Sequence, residues 1–140
     1  MVKPQVTRFA FPWQGALHFS QSVRVDDLVF ASGQAGFLPE GGFGGADFET
    51  QCRQAFANLD RVFREQGTSI DSMVRLNAFL SDAGQYADFK RIRADFLREP
   101  YPASTAVVVG FVFPGMLVEL EGIAVRGGAV RELDDEGAAG

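Results

Sequence analysis

Glu119 and Glu121 stand two positions apart in "PGMLVELEGIAV", residues 114–125, a stretch otherwise dominated by Leu, Val, Ile and Ala. Such a stretch reads as a strand, and residues i and i+2 of a strand point to the same face. Burial raises the proton affinity of a carboxylate, and a like-charged neighbour raises it further. A carboxyl tuned toward neutrality suits proton transfer. Hydrolysis, tautomerisation or ring closure could use such a shuttle, hydrolysis together with a placed water. Glu119 is the candidate acid/base, and Thr105 or nearby backbone groups are candidates to hold the water. An Arg75 partner would push the pKa the other way, and for Glu121 the bland reading, a structural ion pair, carries more weight.

Other chemistries are poorly equipped. His18 is the one histidine, so the histidine pair of an RNA-cleaving site is absent. A Ser-His-Asp triad would have to recruit His18 and a serine with no recognisable elbow motif. One His and one Cys offer no zinc-ligand spacing, and no cofactor motif is visible. "GGFGG" is no phosphate loop, because no Lys-Ser/Thr follows it. Cys52 falls on an apolar helical stripe and reads as a buried, inert thiol.

The elements that must position these groups follow from periodicity. "HFSQSVRV" and "DLVFASGQ" read as two strands joined by a turn at "DD", the second strand entering a turn at its glycine. "LPEGGFGG" is a loop, and there is room for a short third strand before the first helix. That helix is "ADFETQCRQAFANLDRVFREQG": Phe48, Cys52, Ala55, Phe56, Leu59, Val62 and Phe63 follow i, i+3, i+4 spacing, Asp47 caps it and Gly67 ends it. "SMVRLNAFLS" is a strand with Val74, Leu76, Ala78 and Leu80 on one face and Arg75, Asn77 and Phe79 on the other. "GQYADFKRIRADFLREP" is a second helix with Tyr86, Phe89, Ile92, Phe96 and Leu97 on its stripe, stopped by Pro100. "STAVVVGFV" and "MLVELEGIAV" complete the strands.

Two helices cannot cover both faces of a sheet of about six strands, so they share one face of an α+β domain. Val118, Leu120 and Ala124 should face the helices. Leu117, Glu119, Glu121 and Ile123 should look the other way, with Arg75, Asn77 and Phe79. A face so mixed is better covered by another copy of the chain than by water.

The 140 residues fit one domain, assigned to 1–126, followed by an acidic, aperiodic tail at 127–140 that reads as disordered. Hydrophobic residues make up 46% and charged residues 22%, the balance of a soluble globular chain. A net charge of −5 argues against a nucleic-acid partner. The cluster Lys90, Arg91 and Arg93 is offset by Asp88 and Asp95 and reads as a solvated helix face. No run approaches the ~20 apolar residues of a membrane span. The N-terminus lacks the pattern of a signal peptide. A single cysteine suits a reducing compartment, and the expected location is the cytoplasm.

The ordered pieces "HFSQSV", "ASGQ", "QCRQAFANL", "EQG", "SMVRLNAFLSD", "YPASTAVVV" and "VELEGIAV", between about residues 16 and 126, resemble the Rid/YjgF family, once labelled L-PSP endoribonuclease. The resemblance implies a chorismate-mutase-like fold, a homotrimer with clefts between subunits, and cofactor-free hydrolysis of reactive enamines and imines to a keto acid and ammonia. It places Glu119 at the family's water-activating glutamate, and Phe19, Ser32, Gly33, Ser104, Thr105 and His18 around the substrate. The chain departs from the pattern at three positions. Ser104 stands where the family's substrate-gripping Arg follows "PA", Phe19 where a Tyr precedes "SQ", and Lys90 at a helix position often Asn. Ser104 offers one neutral hydrogen bond where Arg offers two charged ones. Either another cation, such as Arg75 or Lys90, grips the substrate, or the substrate has no carboxylate there. An imine deaminase, a tailoring enzyme acting on a non-carboxylate metabolite by hydrolysis or cyclisation, and a non-catalytic trimeric binding protein all fit this sequence.

Overall fold

The computed structural model describes residues 17–127. The aromatic-rich segment 8–13 and all of the acidic tail except Gly127 lie outside the described residues.

The first described elements form a hairpin, β1 (Ser22–Val25) and β2 (Leu28–Ala35), paired antiparallel. The tight turn uses Asp26 in the left-handed region, at φ 50°, which Asp tolerates better than most residues. Helix α1 (Phe48–Glu65) follows, then β3 (Met73–Leu80), α2 (Tyr86–Phe96), β4 (Ala103–Val108) and β5 (Val118–Val125). The sheet order is β1-β2-β5-β3-β4. β5 runs antiparallel to both β2 and β3, and β3 runs parallel to β4. Among the described residues the sheet has five strands, not about six. The short third strand is only an isolated bridge, Phe37 to Phe43, because "PEGGFGG" cannot sustain a ladder.

α1 begins where Asp47 accepts the Thr50 amide at 2.9 Å, a side-chain N-cap. It ends where the Gly67 amide donates to the Arg64 carbonyl and the Thr68 amide to that of Phe63. Gly67 takes φ +81°, a conformation that favours glycine. The expected stripe Cys52, Ala55, Phe56, Leu59, Val62 and Phe63 is fully buried. On α2, Phe89 and Ile92 are buried while Tyr86 stays 43% exposed. The Phe56 ring stacks on Phe96 at 4.9 Å and on Phe89 at 6.1 Å, tying the helices together. Both helices thus lie on one face, over Leu76, Ala78, Leu80, Val118, Leu120 and Ala124. Each large apolar side chain buried this way contributes about 1.5–3 kcal/mol.

Two strands depart from simple alternation. β3 slips register against β5 between Met73 and Arg75, so Met73, not Val74, enters the core. β2 does not turn at its glycine but runs on through Ala35, with a register shift between Ala31 and Gln34. That bulge contains Ser32 and Gly33.

Candidate active site

β5 alternates as its sequence implies: Val118, Leu120 and Ala124 are fully buried beneath the helices, and Glu119, Glu121 and Ile123 are half-buried on the opposite face. Glu119 lies between Ala35 of β2 and Phe79 of β3. Glu121 lies opposite Asn77, whose Nδ2 donates to Glu121 Oε1 at 3.1 Å. The ion pair with Arg75 is not formed. Arg75 instead donates from Nη2 to Thr105 Oγ1 at 2.8 Å, across the β3–β4 pair. Register decides this, because Asn77 and not Arg75 is the residue directly across from Glu121.

Glu119 opens into a cavity of about 420 Å³. Its apolar walls are Leu17, Phe19, Phe37, Phe113 and Met116. Phe37 meets Phe113 edge-on at 5.7 Å and stacks on Phe43 at 4.5 Å, forming one aromatic wall from two loops. The polar lining is Gln21, Gln34, Asn58 and Glu119, with no Lys, Arg or His among the described lining residues. The amides are largely spoken for. Gln34 Nε2 donates to Gln21 Oε1 at 2.6 Å and to the Ser32 carbonyl at 3.1 Å. Asn58 Nδ2 donates to the carbonyls of Ala35 and Phe37 at 2.9 and 2.8 Å. Deeper in α1, Gln51 donates to the carbonyls of Gly45 and Gly115 and accepts the Leu117 amide. Gln51 and Asn58 therefore pin the glycine-rich loop and the Phe113–Leu117 loop onto the helix.

Glu119 differs from these groups. Among the described residues no donor reaches its carboxylate. Burial holds its pKa above the ordinary carboxylate value, and the Glu121 charge adds to the effect. Gly33 makes room for it. A β-carbon on Gly33 would collide with Glu119 Oε1 and come within 2.7 Å of Cδ. Gly33 does not adopt a positive φ, so its requirement is space. The bulge in β2 carries the smallest residue to the place where the carboxylate needs clearance, a known use of bulges near active sites.

Of the sequence-derived candidates, Glu119, Gly33 and Phe19 come together around this cavity. Phe19 stands 55% exposed at the rim. His18 is exposed, at φ 57°, between the lining residues Leu17 and Phe19. Ser32 faces away, donating its hydroxyl to the Ser20 carbonyl at 2.5 Å and fixing the bulge to the β1 approach. Ser104 lies elsewhere, in a second hollow of about 360 Å³ with Lys90, Arg93 and Tyr101. Thr105 points to Arg75. Within one chain, then, Ser104 and Glu119 do not share a cavity. Phe37, Phe113, Met116, Gln21, Gln34 and Asn58 were not singled out for the site. "SGQ" and "QAFANL" carried a signal for Gln34 and Asn58; the three loop-borne apolar residues carried none.

Cys52 is buried, and burial pushes its thiol up to about 12, outside any nucleophilic range. Arg91 pairs with Glu49 and Asp88, and Asp95 pairs with Arg53. Lys90 and Arg93 have no carboxylate partner among the described residues. They lie over the rings of Tyr86 and Phe89 at 5.9 and 5.2 Å. No helix among the described residues is long and apolar enough to cross a membrane.

Comparison with known proteins gives one consistent result. A sequence model of the family described as Endoribonuclease L-PSP matches residues 13–126. The RutC family protein y4sK of Sinorhizobium fredii is 35% identical over 106 residues, 75% of this chain and 84% of that protein. A mouse protein named 2-iminobutanoate/2-iminopropanoate deaminase is 31% identical over 112 residues, 78% of this chain and 82% of its own length. Among solved structures, RidA from an Antarctic Psychrobacter species superposes with a TM-score of 0.75 at 34% identity, covering 79% of this chain and 90% of that one.

Proposed function

The chain belongs to the Endoribonuclease L-PSP family, the Rid/YjgF group, and on that footing we propose that it hydrolyses the C=N bond of a reactive imine or enamine tautomer, with Glu119 as acid and base. The observation that carries this reading is the half-buried Glu119 carboxylate, without a hydrogen-bond donor among the described residues, at an apolar cavity where Gly33 clears space for it. Glu119 takes a proton from water as the water oxygen bonds to the imine carbon and the C=N π pair moves to nitrogen. The same carboxyl then returns the proton to nitrogen. The carbinol hydroxyl then gives its proton to the Glu119 carboxylate as its oxygen pair forms the carbonyl and the C–N bond breaks with its pair on nitrogen. The protonated imine and water thus leave a carbonyl product and ammonia, which takes the proton from Glu119 as ammonium. The mouse relative's name describes this class of reaction. RNA cleavage is less well supported, since the one histidine is exposed.

The working form in this reading is a homotrimer in the cytoplasm, acting on a small molecule without cofactor, nucleic acid or membrane. Supporting the trimer, β4 is an exposed edge strand, and on the face opposite the helices Phe30 and Val107 are exposed and Phe79 and Ile123 half-buried among the described residues. Light scattering at micromolar concentration should give three times the chain mass; a monomer would contradict this assembly. Catalysis is tested by adding the protein to freshly generated 2-aminoacrylate and other imines and following ammonia release, with Glu119→Gln alongside. No acceleration of any imine would sink the hydrolase reading. It would favour a trimeric binding protein, which Ser104 and Phe19 in place of the family's Arg and Tyr already suggest. Acceleration of ring closure instead would favour a tailoring enzyme.

A further inference from the structure

Resting on the reading of Glu119 as acid and base, we propose that Gln51 and Asn58 are positioning residues for it: two buried amides on one face of α1 close the open end of the β2–β5 ladder and hold the carboxylate in place.

The ladder needs closing there. Its last pair at that end is Ala35 with Glu119, and the ends of a ladder are where strands fray. Beyond that pair the two chains separate into loops, and their backbone groups need partners other than each other.

α1 supplies them. Gln51 and Asn58 stand seven residues apart, about two turns and about 10 Å along one helix face. They are only 1% and 5% exposed. Gln51 Oε1 accepts the Leu117 amide at 3.0 Å, and its Nε2 donates to the Gly115 carbonyl at 3.0 Å. A residue of a neighbouring parallel strand bonds the same way, to a carbonyl and to the amide two residues on. The Gln51 side chain thus stands in for a strand opposite Met116. On the other side, the Leu117 carbonyl accepts the Ser81 amide at 3.0 Å. Glu119 follows two residues later. Asn58 acts on the other chain segment. Its Nδ2 donates to the Ala35 and Phe37 carbonyls at 2.9 and 2.8 Å. Its Oδ1 accepts Gln54 Nε2 at 2.9 Å, which sets the orientation of the amide. Between those two carbonyls Gly36 lies against the helix: a β-carbon there would come to 2.7 Å from the Gln51 Cα and carbonyl oxygen. These contacts lie within one chain, on the helix side of the sheet, so a neighbouring copy on the opposite face leaves them in place. Removing either amide strands buried backbone groups that water must then satisfy, and water admitted at this end reaches Glu119.

The test uses the full-length protein with Gln51→Ala and Asn58→Ala, following hydrogen exchange and the titration of the Glu119 carboxyl by NMR. In both variants the amides of Val118, Glu119 and Leu120 should exchange about tenfold faster than in the wild type. Ile123 and Ala124, at the far end of β5, should keep their rates. Burial and, second, the charge of Glu121 act on Glu119 among the described residues. In the variants its carboxyl should titrate closer to the ordinary 4.5 than in the wild type. For imine hydrolysis kcat should fall on the order of 10²-fold, the effect of a misplaced group, with little change in KM. Ile92→Ala, a core truncation on α2, is the control. It should lower the melting temperature, speed exchange at both ends of β5 alike and leave the Glu119 titration at its wild-type position. Should an alanine variant fail to fold, Gln51→Met, which keeps the volume and removes the hydrogen bonds, carries the same readouts. Wild-type exchange at 118–120 and a wild-type Glu119 titration in the amide variants would overturn the proposal. Turnover separates this inference from the reading beneath it. If Glu119→Gln keeps full turnover, or no imine is hydrolysed, the hydrolase reading fails, and exchange with titration still decides the positioning. If Glu119→Gln abolishes turnover while the amide variants keep wild-type exchange, titration and kcat, the hydrolase stands and the positioning role falls.

Discussion

The two hollows of this chain are opposites. The Glu119 cavity is walled by Phe, Leu and Met, holds a carboxylate without a donor, and contains no cation among its described lining residues. The Ser104 hollow holds Lys90 and Arg93, neither with a carboxylate partner, and no acid among the described residues. The family resemblance would place positions 104 and 119 around one substrate, yet one chain keeps them apart. The difference teaches that charge alone does not define the site. What distinguishes the Glu119 side is construction: a bulge, a glycine that gives clearance, and two buried amides on α1 that hold the flanking loops. The Ser104 side rests on an exposed edge strand and the solvent-facing flank of α2.

The sharpest way to break this contrast is Glu119→Gln. Gln keeps shape and reach but exchanges no proton near neutral pH, so imine turnover should fall ~10²–10⁴-fold with the fold intact by circular dichroism. A comparable loss from Lys90→Ala would bring the other hollow, from a neighbouring copy, into the same site.

Gly33→Val follows. Its branched side chain would occupy the space of the Glu119 carboxylate, backed by β5. Overpacking of this kind costs about 1–3 kcal/mol, read as a lower denaturant midpoint, and turnover should drop with it. Full activity and stability in Gly33→Val would mean that Glu119 does not sit where the clearance argument needs it.

The strand that raised the question was legible in part. Alternation in "VELEGIAV" settled which face each side chain takes, because period 2 survives wherever pairing is regular. The stripe of α1 was equally plain. The two bulges were not: an inserted residue leaves no trace in composition, so Val74 reads as core where Met73 is, and Gly33 reads as a turn residue where it is clearance. Nor was the partner of Glu121 legible, since Arg75 and Asn77 share a face and only register chooses between them. The aromatic wall escaped for a different reason: Phe37 and Phe113 come from loops, which carry no period.

Register also lowers the expected cost of Glu121→Gln. An Arg75 ion pair would have made it strongly destabilising, but Asn77 Nδ2 can donate to a Gln oxygen as it does to Glu121. The change should stay within about 1 kcal/mol, the net worth of one such hydrogen bond, and turnover should fall far less than in Glu119→Gln. A loss of several kcal/mol would reveal a cation on Glu121 in the assembled protein.

The smallest effect tests whether Glu119 is truly without a partner. Its folded pKa lies above the ordinary value of 4.5, through burial first and the Glu121 charge second. Below that ordinary value both folded and unfolded chains are protonated there, and the group contributes nothing to pH dependence. As pH rises past it, the unfolded chain ionises first, so the folded state binds more protons and stability falls. The fall ends once pH passes the raised folded pKa, and a constant penalty remains above it. Glu119→Gln lacks that penalty. Its melting temperature should therefore match the wild type near pH 4 and exceed it slightly at pH 8. In a Glu121→Gln background the gap should narrow, because the like charge that adds to the shift is gone. If Glu119→Gln is instead the less stable protein at pH 8, Glu119 must be held by a donor or cation in the folded state. The carboxylate would then be structural, and the unpartnered acid/base group on which the hydrolase reading turns would not exist.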